Sequence, residues 1–112
     1  MTKIKPRVIM KSADRMEFVF DKLCEYWNVS REDFLKRART KDLYHKKRIA
    51  IKILRDEAEL SLKQITSGFN QMGDESNIWE IHSRVSSDLY PHNYGNKELK
   101  EEYKKILQFM GI

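Results

Sequence analysis

Residues 61–90, SLKQITSGFNQMGDESNIWEIHSRVSSDLY, constrain the fold more than any other stretch. They open with Ser61-Leu62-Lys63-Gln64, a capping box. The Ser61 hydroxyl can accept from the Gln64 amide, and the Gln64 side chain can reach back to the Ser61 amide. Leu62, Ile65 and Phe69 then fall on one face of a short helix. Gly68 to Asn70 are expected to end that helix, and Gly73 supplies a second break. Asp74 or Ser76 can cap a further helix, with Ile78, Ile81 (or His82) and Val85 as its buried stripe. Two short helices joined by a tight, glycine-containing turn form the pattern of a helix-turn-helix, whose second helix can lie in a DNA major groove.

The flanking sequence is also helical in period. Met16, Val19, Phe20, Leu23 and Trp27 recur at three- and four-residue spacing, which predicts a first helix over 14–28 opened by an Asp14/Glu17 capping box. Ser30 and Asp33 cap a short second helix anchored by Phe34 and Leu35. Residues 37–42 lack apolar periodicity and read as a loop. A third, longest helix is expected over 43–60, with Ile49 or Ala50, Ile53, Leu54 and Leu60 tracing its faces. After the helix pair, PHNYGN at 91–96 reads as a loop. A last amphipathic helix over 97–110 buries Leu99, Tyr103, Ile106, Leu107 and Met110. The fold class expected is therefore all-α, about six helices with no strand signal. At 112 residues it is organised as one domain over 13–112, preceded by a flexible basic arm over 1–12 that carries Lys3, Lys5, Arg7 and Lys11 around Pro6.

Charge is distributed unevenly along this frame. Residues 1–52 hold 15 basic and 7 acidic side chains, whereas residues 53–112 hold 7 basic and 10 acidic. A basic half in a small chain points to a polyanionic partner, most often nucleic acid. The densest positive stretch is Lys36, Arg37, Arg39, Lys41, His45, Lys46, Lys47 and Arg48, interrupted only by Asp42. Loops and helix starts of this kind can aim several long cations at neighbouring phosphates, which supply most of the affinity for DNA. Cations at the start of the third helix run against its dipole, which fits binding better than a purely structural role.

Other chemistries find no support. A lone Cys24 among Leu23, Tyr26 and Trp27 builds no disulfide framework and reads as a small buried hydrophobe. His45, His82 and His92 make no metal-ligand spacing with it or with each other, so no metal or cofactor is expected. There is no glycine-rich phosphate loop and no nucleophile elbow, so no enzymatic activity is expected. Residues 1–11 lack the apolar core of a secretory leader, and no run of about 18 apolar residues exists, so a cytoplasmic setting is expected.

The order of these features resembles a known family. An apolar helix ends in Glu25-Tyr26-Trp27; a short helix carries Asp33-Phe34-Leu35; the basic loop is Lys36-Arg37-Ala38-Arg39-Thr40-Lys41. A long helix with Arg48-Ile49-Ala50 follows, then Leu60-Ser61-Leu62-Lys63-Gln64-Ile65, Phe69 and a short helix at Asp74. Over about residues 16–110 this is similar to the C-terminal DNA-binding domain of the bacterial replication initiator DnaA, a helical domain of the Trp-repressor-like class. The resemblance implies minor-groove and backbone contacts for Arg37, Arg39 and Lys41, and phosphate contacts for Lys46, Lys47 and His45. In that family the second helix of the pair reads bases through Arg-Asp-His-Ser/Thr-Thr-Val. The matching residues here are Gly73-Asp74-Glu75-Ser76-Asn77-Ile78, with one extra residue around Gln71 and Met72. Asp74 and Ser76 keep their types, whereas the Arg and His are absent, so Asp74, Glu75, Ser76 and Asn77 are the candidate base readers. Glu75 can accept from a cytosine amine and Asn77 can pair with adenine.

The reading is a monomeric, double-stranded DNA-binding protein of replication or transcription control. An alternative is a protein–protein interaction module on a degenerate DNA-binding fold, using Trp79 or the 90–96 loop.

Overall fold

The computed structural model describes residues 12–83 and 97–111. The expected arm over 1–12 lies outside the described residues except for Ser12, which begins the first helix instead, and the continuation of the fifth helix through Val85 and the 90–96 loop also lie outside them. Among the described residues the regular structure is helical throughout, without strands: α1 (Ser12–Trp27), α2 (Arg31–Phe34), α3 (Lys41–Asp56), α4 (Leu62–Gln71), α5 (Ile78–Ser83) and α6 (Lys97–Met110).

The core forms around α3. Ile49, Ala50, Ile51, Ile53 and Leu54 are all fully buried, so the middle of this helix has no wet face. A helix buried on every side must be surrounded, and α3 packs against α1, α4 and α5. α1 supplies Met16, Val19, Phe20 and Leu23, α4 supplies Ile65 and Phe69, and α5 supplies Ile78 and Ile81. α6 packs on α1 and buries Leu99, Tyr103, Ile106 and Met110, over the span its periodicity predicts. Phe20, Phe34 and Phe69 meet at one node, with ring centroids 5.1 to 6.4 Å apart. Edge-to-face and tilted pairs at this range add to area burial. That node fixes α2, a four-residue helix too short to be stable on its own. Arg31 also ties α2 to α1, donating to Glu17 Oε2 and Asp21 Oδ1 at 2.7 Å each.

Helix ends show why the chain turns where it does. α1 begins at Ser12, so Asp14 lies in its first turn rather than capping it, and the Asp14/Glu17 box does not form. α1 ends at a Schellman motif: Asn28 takes φ 54, its amide donates to Glu25 O, and Val29 N donates to Cys24 O at 3.0 Å. α3 starts two residues earlier than its apolar pattern indicates, because the Thr40 hydroxyl accepts from Leu43 N at 3.2 Å. It ends at Asp56, not at Leu60, since Glu59 turns left-handed at φ 59. The Ser61–Gln64 capping box forms in both directions, at 3.1 and 2.9 Å.

α4 runs through Gly68 to Gln71 instead of ending at Gly68 to Asn70. Gly68 is spent on a close approach: a Cβ there would come within 2.1 Å of Met16 Sδ on α1. The break falls to Gly73, at φ 92, whose amide donates to Asn70 O while Asp74 N donates to Phe69 O, both at 3.0 Å. That second Schellman motif sends the chain back across α3 into α5.

Candidate nucleic-acid interface

Residues 35–40 join α2 to α3 and carry the first part of the basic run. Lys36, Arg37, Arg39 and Lys41 are exposed. Lys36 pairs with exposed Asp33 at 3.0 Å, which holds the Asp33 carboxyl below its ordinary value. Among the described residues Arg37, Arg39 and Lys41 make no side-chain hydrogen bond or ion pair. Their charges are available to a ligand without breaking an internal contact.

The loop is nevertheless anchored. Ala38 N donates to Ser76 Oγ at 2.8 Å, which ties it to the turn before α5. Ser76 is itself placed by Asp74, whose Oδ1 accepts from Ser76 N at 2.8 Å in an Asx turn. Asp74 Oδ2 takes the Lys47 ammonium, and Lys47 Nζ also donates to Phe34 O at 2.7 Å. Both side chains of this ion pair are wholly buried. The rings of Phe34 and Phe69 flank the ammonium, at 5.2 and 5.7 Å from its nitrogen. Burial pulls the Lys47 ammonium below its ordinary value, and Asp74 opposes that pull. A single buried lysine thus connects the end of α2, the start of α3, the basic loop and the turn into α5.

This placement corrects several expectations. Lys47 and Asp74 have no surface to offer DNA, because each satisfies the other in the interior. Ser76 is 8% exposed and its hydroxyl is engaged by Ala38 N, so it is a positioning residue in this structure. Arg48 is also buried, with its guanidinium 5.2 Å from the Tyr44 ring centroid. Lys46 is half-buried, paired with Asp42 at 2.6 Å and lying over Trp27. His45 is half-buried beside Lys41 and Arg48. Neither Asp74 nor Ser76 caps α5. Asn77 does, accepting from Glu80 N through its Oδ1 at 3.2 Å and from Ile81 N through its carbonyl at 3.1 Å.

The exposed members of the reading turn are Glu75 and Asn77. Between α5 and the basic loop lies a cleft of about 150 Å³, lined by Arg37, Ala38, Tyr44, Asn77, Glu80 and Ile81. Tyr44 and Glu80 therefore join the site, although the basic run and the reading motif do not single them out. The one cue to Tyr44 is its position a turn into a helix that Thr40 caps, and that start is set by a hydroxyl cap rather than by periodicity.

Two histidines are expected to make stability depend on pH. His82, pressed against Arg55, is held below its ordinary value by burial first and then by the Arg55 charge. His45 is lowered by burial, then by Arg48 and Lys41. The unfolded chain takes up these protons near pH 6.5, before the folded one does. Their stabilising contribution is complete above that pH and is lost as pH falls through the folded values. The melting temperature should therefore decline from pH 7.5 to 5.5, and His82→Gln should flatten the decline. A flat profile in the unsubstituted protein would show that both rings are solvated.

No protein-family model matches the chain, and no solved structure matches it. Curated proteins do. Over 91 residues, 81% of the chain, it is 25% identical to the chromosomal replication initiator protein DnaA of Thermoanaerobacter sp. (strain X514) and of Thermoanaerobacter pseudethanolicus. The same protein of Caldanaerobacter subterraneus subsp. tengcongensis matches with equal identity and span. This span is homologous to DnaA. The chain covers 20% of the length of these relatives, and the extent fits the C-terminal domain of about 90 residues. The all-α architecture agrees with that homology. Gly73 takes φ 92, a conformation in which a side chain is strained.

Proposed function

We propose that the chain binds double-stranded DNA through residues 36–41 and the exposed edge of α5, in replication or transcription control. The observation that carries this reading is a set of three exposed cations, Arg37, Arg39 and Lys41, without side-chain partners among the described residues, on a loop bonded to the turn that leads into α5. Those cations supply phosphate contacts and minor-groove reach, while Asn77 and Glu75 meet base edges. In this reading Lys36, His45 and Lys46 lie at the margin of the footprint, and the basic residues that precede α1 extend it as an arm. Residues 13–112 act as one monomeric unit in the cytoplasm. No helix among the described residues is long and apolar enough to cross a membrane. The reading contains no catalytic step, metal or cofactor.

The test is fluorescence anisotropy on a random-sequence duplex pool, titrated across salt, with the bound sequences recovered. Three or four phosphate contacts give a log–log salt slope of roughly −3. A slope near zero, or no binding at low salt, overturns the proposal. A second reading, a protein-interaction module, is favoured by Trp79, which is 59% exposed. Its binding would survive salt and fail on Trp79→Ala.

A further inference from the structure

Trp79 stands out once the DNA-facing edge of α5 is drawn. Ile78 and Ile81 point into the core, Asn77 and Glu80 line the cleft with the basic loop, and Trp79 projects on another side. There it walls a second, open cleft of about 420 Å³ whose remaining lining comes from α4: Lys63, Thr66, Ser67, Asn70 and Gln71. This lining holds one ammonium, hydroxyls and amides, an indole, and no carboxylate. α4 has no acidic residue along its length, in a half of the chain where acids outnumber bases. The cleft is thus complementary to a polyanion that carries hydrogen-bonding edges and apolar points. A duplex seated on the basic loop and α5 continues directly onto it, because α5 forms one wall of both clefts.

We infer that Trp79 is a specificity-determining residue that packs against the C5-methyl group of thymine in the major groove, with the amides of Asn70 and Gln71 on neighbouring base edges. This rests on the DNA-binding reading above. The chemistry is selective: in the major groove thymine alone presents a methyl group, and an exposed apolar side chain reads it by contact. An indole left in water gains most from such a contact, since it buries a large apolar face at little conformational cost.

The experiment compares two preparations of the duplex pool enriched on the wild-type protein, one containing thymine and one containing uracil. The two differ only by the methyl group. Wild-type protein should bind the uracil pool about fourfold more weakly, the effect of one methyl-sized apolar contact. Trp79→Ala should bind both pools alike with an unchanged salt slope, and Trp79→Phe should retain part of the difference. Folding is not at issue for an exposed side chain, and the melting temperature checks it. Equal binding of both pools by wild-type protein overturns the inference while leaving DNA binding intact. So does discrimination that persists in Trp79→Ala. Absence of any wild-type binding defeats the DNA-binding reading itself, and the inference falls with it.

Discussion

Replacing both Arg37 and Arg39 with glutamate is expected to lower duplex affinity by on the order of a hundredfold at low salt, and to flatten the salt slope by about two. The size follows from their surroundings. Both side chains are exposed and, among the described residues, make no side-chain hydrogen bond or ion pair, so their charge is not spent inside the protein. Each cation that neutralises a phosphate releases condensed counterions, and reversal removes that gain and adds repulsion. The same independence means that the fold should not notice: exposed substitutions away from caps and networks usually change stability by less than about 0.5 kcal/mol. Ala38 lies between them, and its backbone N–H donates to Ser76 Oγ without either arginine side chain, so the loop keeps its anchor in the variant. Lys46→Glu is the informative comparison. Lys46 belongs to the same positive stretch but is already paired with Asp42, so it should lose much less affinity. Unchanged binding in the Arg37/Arg39 variant, measured by anisotropy on the same pool, would remove the basic loop from the interface and with it the proposed function.

The parts of this molecule that were legible in its sequence are those set by local physics. The Ser61–Gln64 capping box, the stripe of Ile78 and Ile81, and the bounds of α6 need only neighbours along the chain. Gly68 could not be read that way. Its reason is Met16 on another helix, so a residue that looks like a helix stop sits inside α4. The basic run was misleading for a related reason. Composition treats Lys46, Lys47 and Arg48 as equivalent, yet Lys47 lies four and seven residues before Ile51 and Leu54, on one buried face. That spacing is the cue by which an interior lysine could be separated from surface ones. Its acid, Asp74, sits in a turn without periodicity, 27 residues away, and only the tertiary structure joins them.

That pair gives the other large expected effect. Lys47→Met should leave Asp74 as a buried carboxylate with no countercharge, and breaking a buried pair in this way costs about 3–5 kcal/mol. Asp74→Asn should cost less than Lys47→Met, because the amide oxygen can still accept from Ser76 N and hold the turn. The double variant should lose less than the sum of the two, since neither unpaired charge remains in the core. Denaturant midpoints of the four proteins measure this coupling, with an unchanged slope showing that the change lies in stability. The result decides between two roles for one lysine. If Lys47→Met is as stable as the parent and loses DNA affinity, the ammonium faces solvent and belongs to the phosphate-binding set, as the basic run alone indicates. If it is destabilised and the double variant recovers, Lys47 is an internal strut. Its contribution to binding is then indirect: through Asp74 and Ser76 it holds Ala38, and so fixes where Arg37 and Arg39 stand relative to Asn77 at the head of α5. Under that arrangement the double variant, where it folds, should keep the salt slope set by the exposed cations but bind its enriched sequences with less preference over the unselected pool, because the charges remain while the register between loop and reading edge is loosened.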